Sequence, residues 1–294
     1  MLKRKPDHKT AIVLTCFVAF LWSTAGLNIK MIVWNPLCIA GGRSLIAVAM
    51  LFPVILKNEN VQINRYVIGG AVCYAAFNYS FNISTKLATS ALAILMQYTA
   101  PVYVAILSWV FLKERISRAD ILCIAAVMAG MIVFFLGSEG GGSVPGKIIA
   151  VFNGITFAGI SIFLRLQKDG NPVMSMFLGN ILAGIVGIPF IVSVGLPNLK
   201  SVLFLILAGF LCAFTYSLYA IASTHLSALE TVLLPILDPV LNPVWVFLFL
   251  GEAPSSLSVL GFAIVLISVT ARTLFSLHRD SEKEHLQVTG QNAD

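Results

Sequence analysis

Ten long apolar stretches, each about the length of a membrane-spanning helix, make up most of this 294-residue sequence. A helix that crosses about 30 Å of hydrocarbon at about 1.5 Å per residue needs about 20 apolar residues. The stretches are 11–33, 36–56, 66–85, 90–112, 118–136, 147–167, 172–194, 201–222, 228–250 and 256–276. Only 11% of the residues are charged, against about 25% in soluble domains. The sequence therefore predicts an all-α integral membrane protein with ten transmembrane helices and excludes a soluble globular domain.

The basic residues indicate how these spans are oriented. With the amino terminus in the cytoplasm, fourteen Lys and Arg residues fall on the cytoplasmic side and four on the external side, while Arg43 lies inside the second span. Because short cytoplasmic loops are enriched in Lys and Arg, this bias predicts that both termini are cytoplasmic. The net charge of +6 is explained by topology. The basic residues form no continuous face that would bind nucleic acid.

A weak internal repeat divides the chain into halves. Residues 100–102 and 111–114 (APV and FLKE) align with residues 238–240 and 249–252 (DPV and FLGE) at a constant offset of 138 residues. Each half then holds five spans, and because five is odd, the second half must be inverted relative to the first. Inverted repeats with discontinuous or proline-containing helices are typical of alternating-access carriers, whose substrate site lies near the midplane between the halves.

These features resemble the drug/metabolite transporter superfamily, specifically its EamA-type permeases. The resemblance covers almost the whole chain and rests on the five-plus-five repeat, on Trp22-Ser23 in span one, on the Pro-x6-Arg context of Arg43, and on the repeated segments that end spans four and nine. The second half departs from the pattern, having Gly179-Asn180 where the first half has an arginine and a serine. The resemblance implies an inner-membrane metabolite carrier, often an exporter of amino acids or related small solutes.

The predicted organisation follows from the spans and the repeat. It comprises a cytoplasmic amino-terminal segment (1–10), a first EamA-type repeat (11–136), an external linker (137–146), a second EamA-type repeat (147–276) and a cytoplasmic carboxy-terminal tail (277–294).

Three charged residues of the predicted spans are candidates for a position at membrane depth, where a charge costs about 2.5–3.5 kcal/mol on insertion scales and needs a partner, a cavity or a function. Asp238 is the deepest, and we expect it to bind an ammonium group or to take up the proton that drives antiport. Glu230 would assist it near the cytoplasmic entrance. The alternatives are a structural contact for Asp238, such as an ion pair with Arg43, and a solvated interfacial position for Glu230. Arg43 either binds a substrate carboxylate or joins helices by bonding their carbonyl groups.

Polar and aromatic side chains from both halves are predicted to line one cavity. On span nine, steps of four and three residues place five side chains on one stripe of a helix, namely Thr231, Pro235, Asp238, Asn242 and Trp245. Span one adds Ser23 and Asn28 to the cavity-lining set. Each of these residues taken singly could instead form an interhelical hydrogen bond or an interfacial anchor. The candidate substrate-binding residues are Trp22, Arg43, Asn78, Tyr79, Asn82, Gln97, Tyr98, Tyr216, Tyr219, Asp238, Asn242 and Trp245.

The predicted function is secondary transport by alternating access. The substrate would be a small organic metabolite such as an amino acid or a related amphiphilic solute, carried across the cytoplasmic membrane and exported. The alternatives are a channel and a membrane-embedded enzyme, although the sequence contains no filter-like loop and no catalytic motif. We expect a small-molecule substrate and the lipid bilayer as partners. We expect no cofactor, metal, nucleotide or nucleic acid, and a monomer or weak homo-oligomer.

Overall fold

The computed structural model describes residues 7–56, 63–87, 97, 99–113, 116–137, 143–167, 171–250 and 255–275 except 258, 262, 269 and 273. Every regular element in these ranges is a helix, which confirms the predicted all-α class. The first half contains α1 (His8–Trp22), α2 (Ala25–Met31), α3 (Pro36–Leu56), α4 (Arg65–Leu87), α5 (Ala100–Leu107), a π-helix (Ser108–Leu112) and α6 (Arg118–Gly137). The second half contains α7 (Val144–Arg165), α8 (Pro172–Val194), α9 (Leu199–Ser223), α10 (Ala228–Leu233), a 3₁₀ turn (Leu234–Ile236), α11 (Leu237–Leu250) and α12 (Val259–Arg272).

Five of these helical segments are long and apolar enough to cross a membrane. They are α1 taken together with α2, and α3, α7, α8 and α9. Helix α4 is equally long, with 23 residues, but carries more polar side chains. The number of ten spans stays a prediction, since spans four and ten lie partly outside the described residues.

Local signals in the sequence explain where the helices begin. The side chain of Ser143 accepts a hydrogen bond from the Gly146 amide at the start of α7, and Asn198 caps α9 in the same way. Pro36 and Pro172 are the first residues of α3 and α8, where the missing proline N–H would have had no partner within the helix. These signals account for the agreement between the predicted spans and the observed helix starts.

Two predicted spans are discontinuous. Span one is interrupted between α1 and α2 at residues 23–24, and span nine is interrupted by the 3₁₀ turn at Leu234–Ile236. Pro239 has no backbone N–H to donate to the Pro235 carbonyl, and this missing bond removes one constraint that would keep the turn α-helical. The predicted stripe from Thr231 to Trp245 assumes one continuous α-helix, and the 3₁₀ turn shifts its register because each residue there rotates by about 120°.

The helices of each half pack mainly against helices of the other half. Helix α4 packs against α7 and α8, and its counterpart α9 packs against α1 and α3. Likewise, α5 packs against α7, and α11 packs against α1. Each contact made by one half thus has a counterpart made by the other. The interior of the bundle consequently lies between the halves.

Glycine residues bring α3 and α8 into close contact. A Cβ atom placed on Gly41 would lie 2.6 Å from the Gly187 Cα, and one placed on Gly184 would lie 2.7 Å from a methyl carbon of Leu45. Small residues allow helix backbones to approach closely in membranes, where van der Waals packing contributes strongly to association. The α3–α8 contact therefore depends on the absence of side chains at these positions.

We expect the substitution Gly187→Ala to destabilise the protein by about 1–3 kcal/mol, because the added methyl group must push α3 away from α8. Thermal unfolding of the purified protein in detergent would measure the loss. Ile185→Val on the same helix is the control, since Ile185 is 59% exposed and should tolerate the change. Equal unfolding temperatures for the two variants would contradict the prediction.

Candidate substrate cavity

A cavity of about 600 Å³, part of which is open solvent, lies between α1, α2, α3, α4, α9 and α11. Its lining combines aromatic, small apolar and polar side chains from both halves of the chain. The lining residues are Leu21, Trp22, Ala25, Gly26, Asn28, Ile29, Arg43, Phe77, Phe81, Gln97, Ala208, Leu211, Cys212, Thr215, Tyr216 and Asp238.

Five of the predicted site residues line this cavity: Trp22, Arg43, Gln97, Tyr216 and Asp238. The first three come from the first half of the chain and the other two from the second half. All five are buried against the rest of the protein. The structure thus brings together the predicted basic and acidic residues, with aromatic rings beside them.

Arg43 is held in place by a network of amide groups. Its Nε donates to the Asn78 Oδ1 atom at 2.8 Å, and its Nη2 donates to the same oxygen. The Asn82 amide also donates to this oxygen at 3.0 Å, while the Asn78 amide donates to Ser44 Oγ at 2.6 Å. Asn78 and Asn82 therefore hold the Arg43 side chain in its orientation, but they do not themselves line the cavity.

One wall of the cavity is aromatic. The ring centroids of Trp22 and Tyr216 lie 4.7 Å apart, and those of Phe77 and Tyr216 lie 6.3 Å apart. The Trp22 indole N–H donates to Thr215 Oγ1 at 2.7 Å, which fixes the ring. Such a wall can contact the apolar part of a solute through ring faces and edges.

Tyr219 packs against the aromatic wall but does not line the cavity. Its ring centroid lies 5.0 Å from that of Trp22. Its hydroxyl lies 3.0 Å from Ser161 Oγ and donates to the Thr231 carbonyl at 3.1 Å. Tyr219 thus joins α7, α9 and α10 in this structure, and its role as a direct ligand stays a prediction.

Three other predicted residues lie outside the cavity lining. The Tyr79 hydroxyl donates to the Ala183 carbonyl at 2.7 Å between α4 and α8. The Trp245 indole N–H donates to Ser23 Oγ at 2.7 Å and so joins α11 to the break in span one. Glu230 takes part in a helix cap. Tyr98 and the side chain of Asn242 lie outside the described residues.

Glu230 belongs to a capping box at the start of α10. Its Oε2 atom accepts hydrogen bonds from the Ser227 amide at 2.9 Å and the Ser227 hydroxyl at 3.0 Å, and the Ser227 hydroxyl accepts from the Glu230 amide. The His8 Nε2 atom lies 3.3 Å from Glu230 Oε1. The structure thus places Glu230 in a helix cap, and its assistance to Asp238 near the cytoplasmic entrance stays a prediction. The spacing Ser-x-x-Glu before an apolar run is the sequence signature of this cap.

Several lining residues that carry no charge were not predicted from the sequence. Phe77 and Phe81 lie one helical turn apart on α4, and Cys212 lies one turn before Tyr216 on α9. The sequence signal for these residues is a spacing of four, which places two side chains on the same face of a helix. Phe77 has this spacing from Phe81, and Cys212 has it from the predicted site residue Tyr216. Apolar residues with that spacing occur on every face of a membrane helix, so the signal does not single out a cavity.

A helical bundle of two repeats, with a polar and aromatic cavity between them, is the architecture of a membrane carrier. A family model described as the EamA-like transporter family matches residues 9–136 and 144–272. The chain belongs to this family of transporters and is a multi-pass membrane protein. The two matched segments confirm the resemblance to EamA-type permeases and the presence of two repeats.

Solved structures share this fold. A crystal structure named only as that of a protein superposes with a TM-score of 0.77 at 18% sequence identity, covering 92% of this chain and 98% of its own. This likeness concerns the fold. Among curated proteins, none matches the sequence.

We expect the substitution Asn78→Leu to destabilise the protein by about 1.5–3 kcal/mol, because it removes the acceptor of a buried guanidinium. Thermal unfolding in detergent would measure the loss. Ser80→Ala on the same helix is the control, since the Ser80 hydroxyl bonds only the Phe77 carbonyl within α4 among the described contacts. A change at Asn78 no larger than the change at Ser80 would show that Arg43 does not depend on this amide.

Proposed function

We propose that this protein is an alternating-access secondary transporter that exports a small amphiphilic solute, such as an amino acid or a related metabolite, across the cytoplasmic membrane. The main support for this proposal is that Arg43 and Asp238, one from each half of the chain, line the same cavity. Charged residues at membrane depth mark substrate or ion pathways. The lining also combines aromatic side chains with a few polar groups, which is usual for small-molecule sites.

The chemistry of the lining supports a solute with two charged groups and an apolar body. The Arg43 guanidinium, oriented by Asn78, would bind a carboxylate, since its planar donors match two carboxylate oxygens. Asp238 would bind an ammonium group. Trp22, Phe77 and Tyr216 would contact the apolar part of the solute.

The packing of the halves supports movement of one repeat against the other. In this proposal ten spans form two inverted five-helix repeats with the boundaries given above, and both termini lie in the cytoplasm. The reciprocal helix contacts between halves fit such a pseudo-twofold arrangement. With this orientation, the hydrogen bond from Tyr219 to the Thr231 carbonyl lies toward the cytoplasmic side of the bundle.

We assign proton coupling to Asp238 alone. Glu230, the second acid considered for this role, is engaged by Ser227 and His8 at the helix cap. Asp238 is buried in the cavity wall, where binding of a proton and binding of an ammonium group would compete for the same carboxylate. Such competition is a direct way to couple proton entry to substrate release.

Counterflow in liposomes tests the transport proposal. Purified protein would be reconstituted with an unlabelled amino acid inside, and uptake of the labelled amino acid would be followed without an ion gradient. A carrier gives trans-stimulated, saturable uptake for at least one member of an amino acid panel. Passive uptake that does not saturate would favour a channel and contradict alternating access.

We expect Asp238→Asn to abolish proton-driven accumulation, because the amide cannot take up and release a proton. Accumulation driven by an imposed pH gradient, measured at several pH values, would show this loss. Glu230→Gln is the matched control, since its carboxylate lies in the cap; we expect it to retain the pH dependence. Wild-type accumulation and pH dependence in Asp238→Asn would overturn the assignment.

A further inference from the structure

Asn28 differs from the other asparagines near the cavity in its hydrogen bonding. It lies on α2, lines the cavity, and is only 5% exposed. Among the described residues, neither its Nδ2 atom nor its Oδ1 atom has a hydrogen-bond partner. The amide of Asn78, in contrast, bonds Arg43 and Ser44. Asn28 thus places a buried donor and a buried acceptor, both without a partner in the part of the chain that the structure describes, in the wall of the cavity.

A buried amide without a partner in the protein requires an explanation. Buried polar atoms in proteins are hydrogen-bonded in the great majority of cases, and an exception needs an explanation. A role in holding helices together does not explain Asn28, because the described helices around α2 offer its amide no partner. A role in binding a solute in the cavity does explain the unpaired amide of Asn28.

The surroundings of Asn28 leave room for a ligand group. Ala25 and Gly26, which precede Asn28 on the same short helix, also line the cavity and have minimal side chains. Helix α2 packs against α4, α9 and α11, which carry cavity residues such as Phe77, Tyr216 and Asp238. Asn28 therefore lies within a space bordered by both charged residues of the site.

We infer that Asn28 is a specificity-determining residue that hydrogen-bonds the head group of the bound solute. Its Nδ2 donates to an acceptor on the solute, and its Oδ1 accepts from a donor that is adjacent to that acceptor. In the proposed function, on which this assignment rests, the acceptor is the carboxylate held by Arg43 and the donor is the ammonium group held by Asp238. A solute that lacks either group leaves half of the amide without a partner, and so the site discriminates against it.

The first test uses protein without any solute. Asn28→Leu replaces the amide with an apolar group of similar size, and we expect the unfolding temperature to stay equal or to rise by about 2–4 °C, because a buried unpaired amide is removed. Asn78→Leu is the matched control with the same substitution, and its unfolding temperature should fall. A fall for Asn28→Leu similar to that of Asn78→Leu would assign Asn28 a structural role and overturn the inference.

The second test measures discrimination among head groups. Exchange of labelled L-leucine in liposomes would be competed with unlabelled L-leucine, with 3-methylbutylamine, which lacks the carboxylate, and with 4-methylpentanoate, which lacks the ammonium group. For the wild type, we expect each analogue to inhibit exchange equally only at a concentration at least about tenfold higher than that of leucine. This factor corresponds to the loss of one buried hydrogen-bonding partner. In Asn28→Leu, leucine should bind about tenfold more weakly and its advantage over both analogues should shrink.

The two tests separate failure of the inference from failure of the proposed function. An unchanged preference for leucine in an active Asn28→Leu variant would overturn the role of Asn28 while leaving the transporter intact. A wild-type protein that exchanges neither leucine nor any other amino acid would overturn the proposed function. In that case the comparison of unfolding temperatures still decides whether the Asn28 amide forms a hydrogen bond that stabilises the fold.

Discussion

The hydrogen bonds from the Arg43 guanidinium to the Asn78 amide oxygen are the interaction on which the cavity depends. A guanidinium at membrane depth is costly unless its donors are satisfied, and Arg43 is 6% exposed. The oxygen of Asn78 accepts from Arg43 and from Asn82, while the Asn78 amide nitrogen donates to Ser44 beside Arg43 on α3. This network joins α3 to α4 and directs the guanidinium toward the cavity. The same orientation of α4 presents Phe77 and Phe81 to the cavity.

The second half of the chain has a neutral network at the corresponding place. Asn180 on α8 lies where the first half has Ser44, and its Oδ1 atom lies 3.4 Å from the Tyr74 hydroxyl. The Tyr74 hydroxyl also lies 2.8 Å from the Cys212 sulfur. Tyr74 and Cys212 are separated by the repeat offset of 138 residues and are thus counterparts that meet between the halves. The fold is repeated while the charge is not, because the second half has Gly179 where the first half has Arg43.

The sequence identified the site residues that differ most from their surroundings. Arg43 and Asp238 are charged residues inside apolar runs, and Trp22, Gln97 and Tyr216 are polar or aromatic residues that recur at helical spacing. For Arg43 and Asp238 the guide was the cost of a charge in hydrocarbon, whereas the other three were selected by residue type and helical spacing. Tyr79, Tyr219 and Trp245 carry the same signal but bond neighbouring helices in the structure. Glu230 was assigned to the site by its charge, although its spacing from Ser227 indicated a cap.

The sequence by itself determined the class of protein and the positions of its helices. In hydrocarbon every backbone N–H and C=O needs a partner, and apolar runs of this length satisfy that requirement as helices. Only the tertiary structure decided which face of each helix lines the cavity and where spans one and nine break. Lipid tails and the side chains of a neighbouring helix are equally apolar, so hydrophobic periodicity does not distinguish a face that meets lipid from one that meets protein. The difference between Asn78, which binds Arg43, and Asn28, which faces the cavity, therefore arises from helix packing.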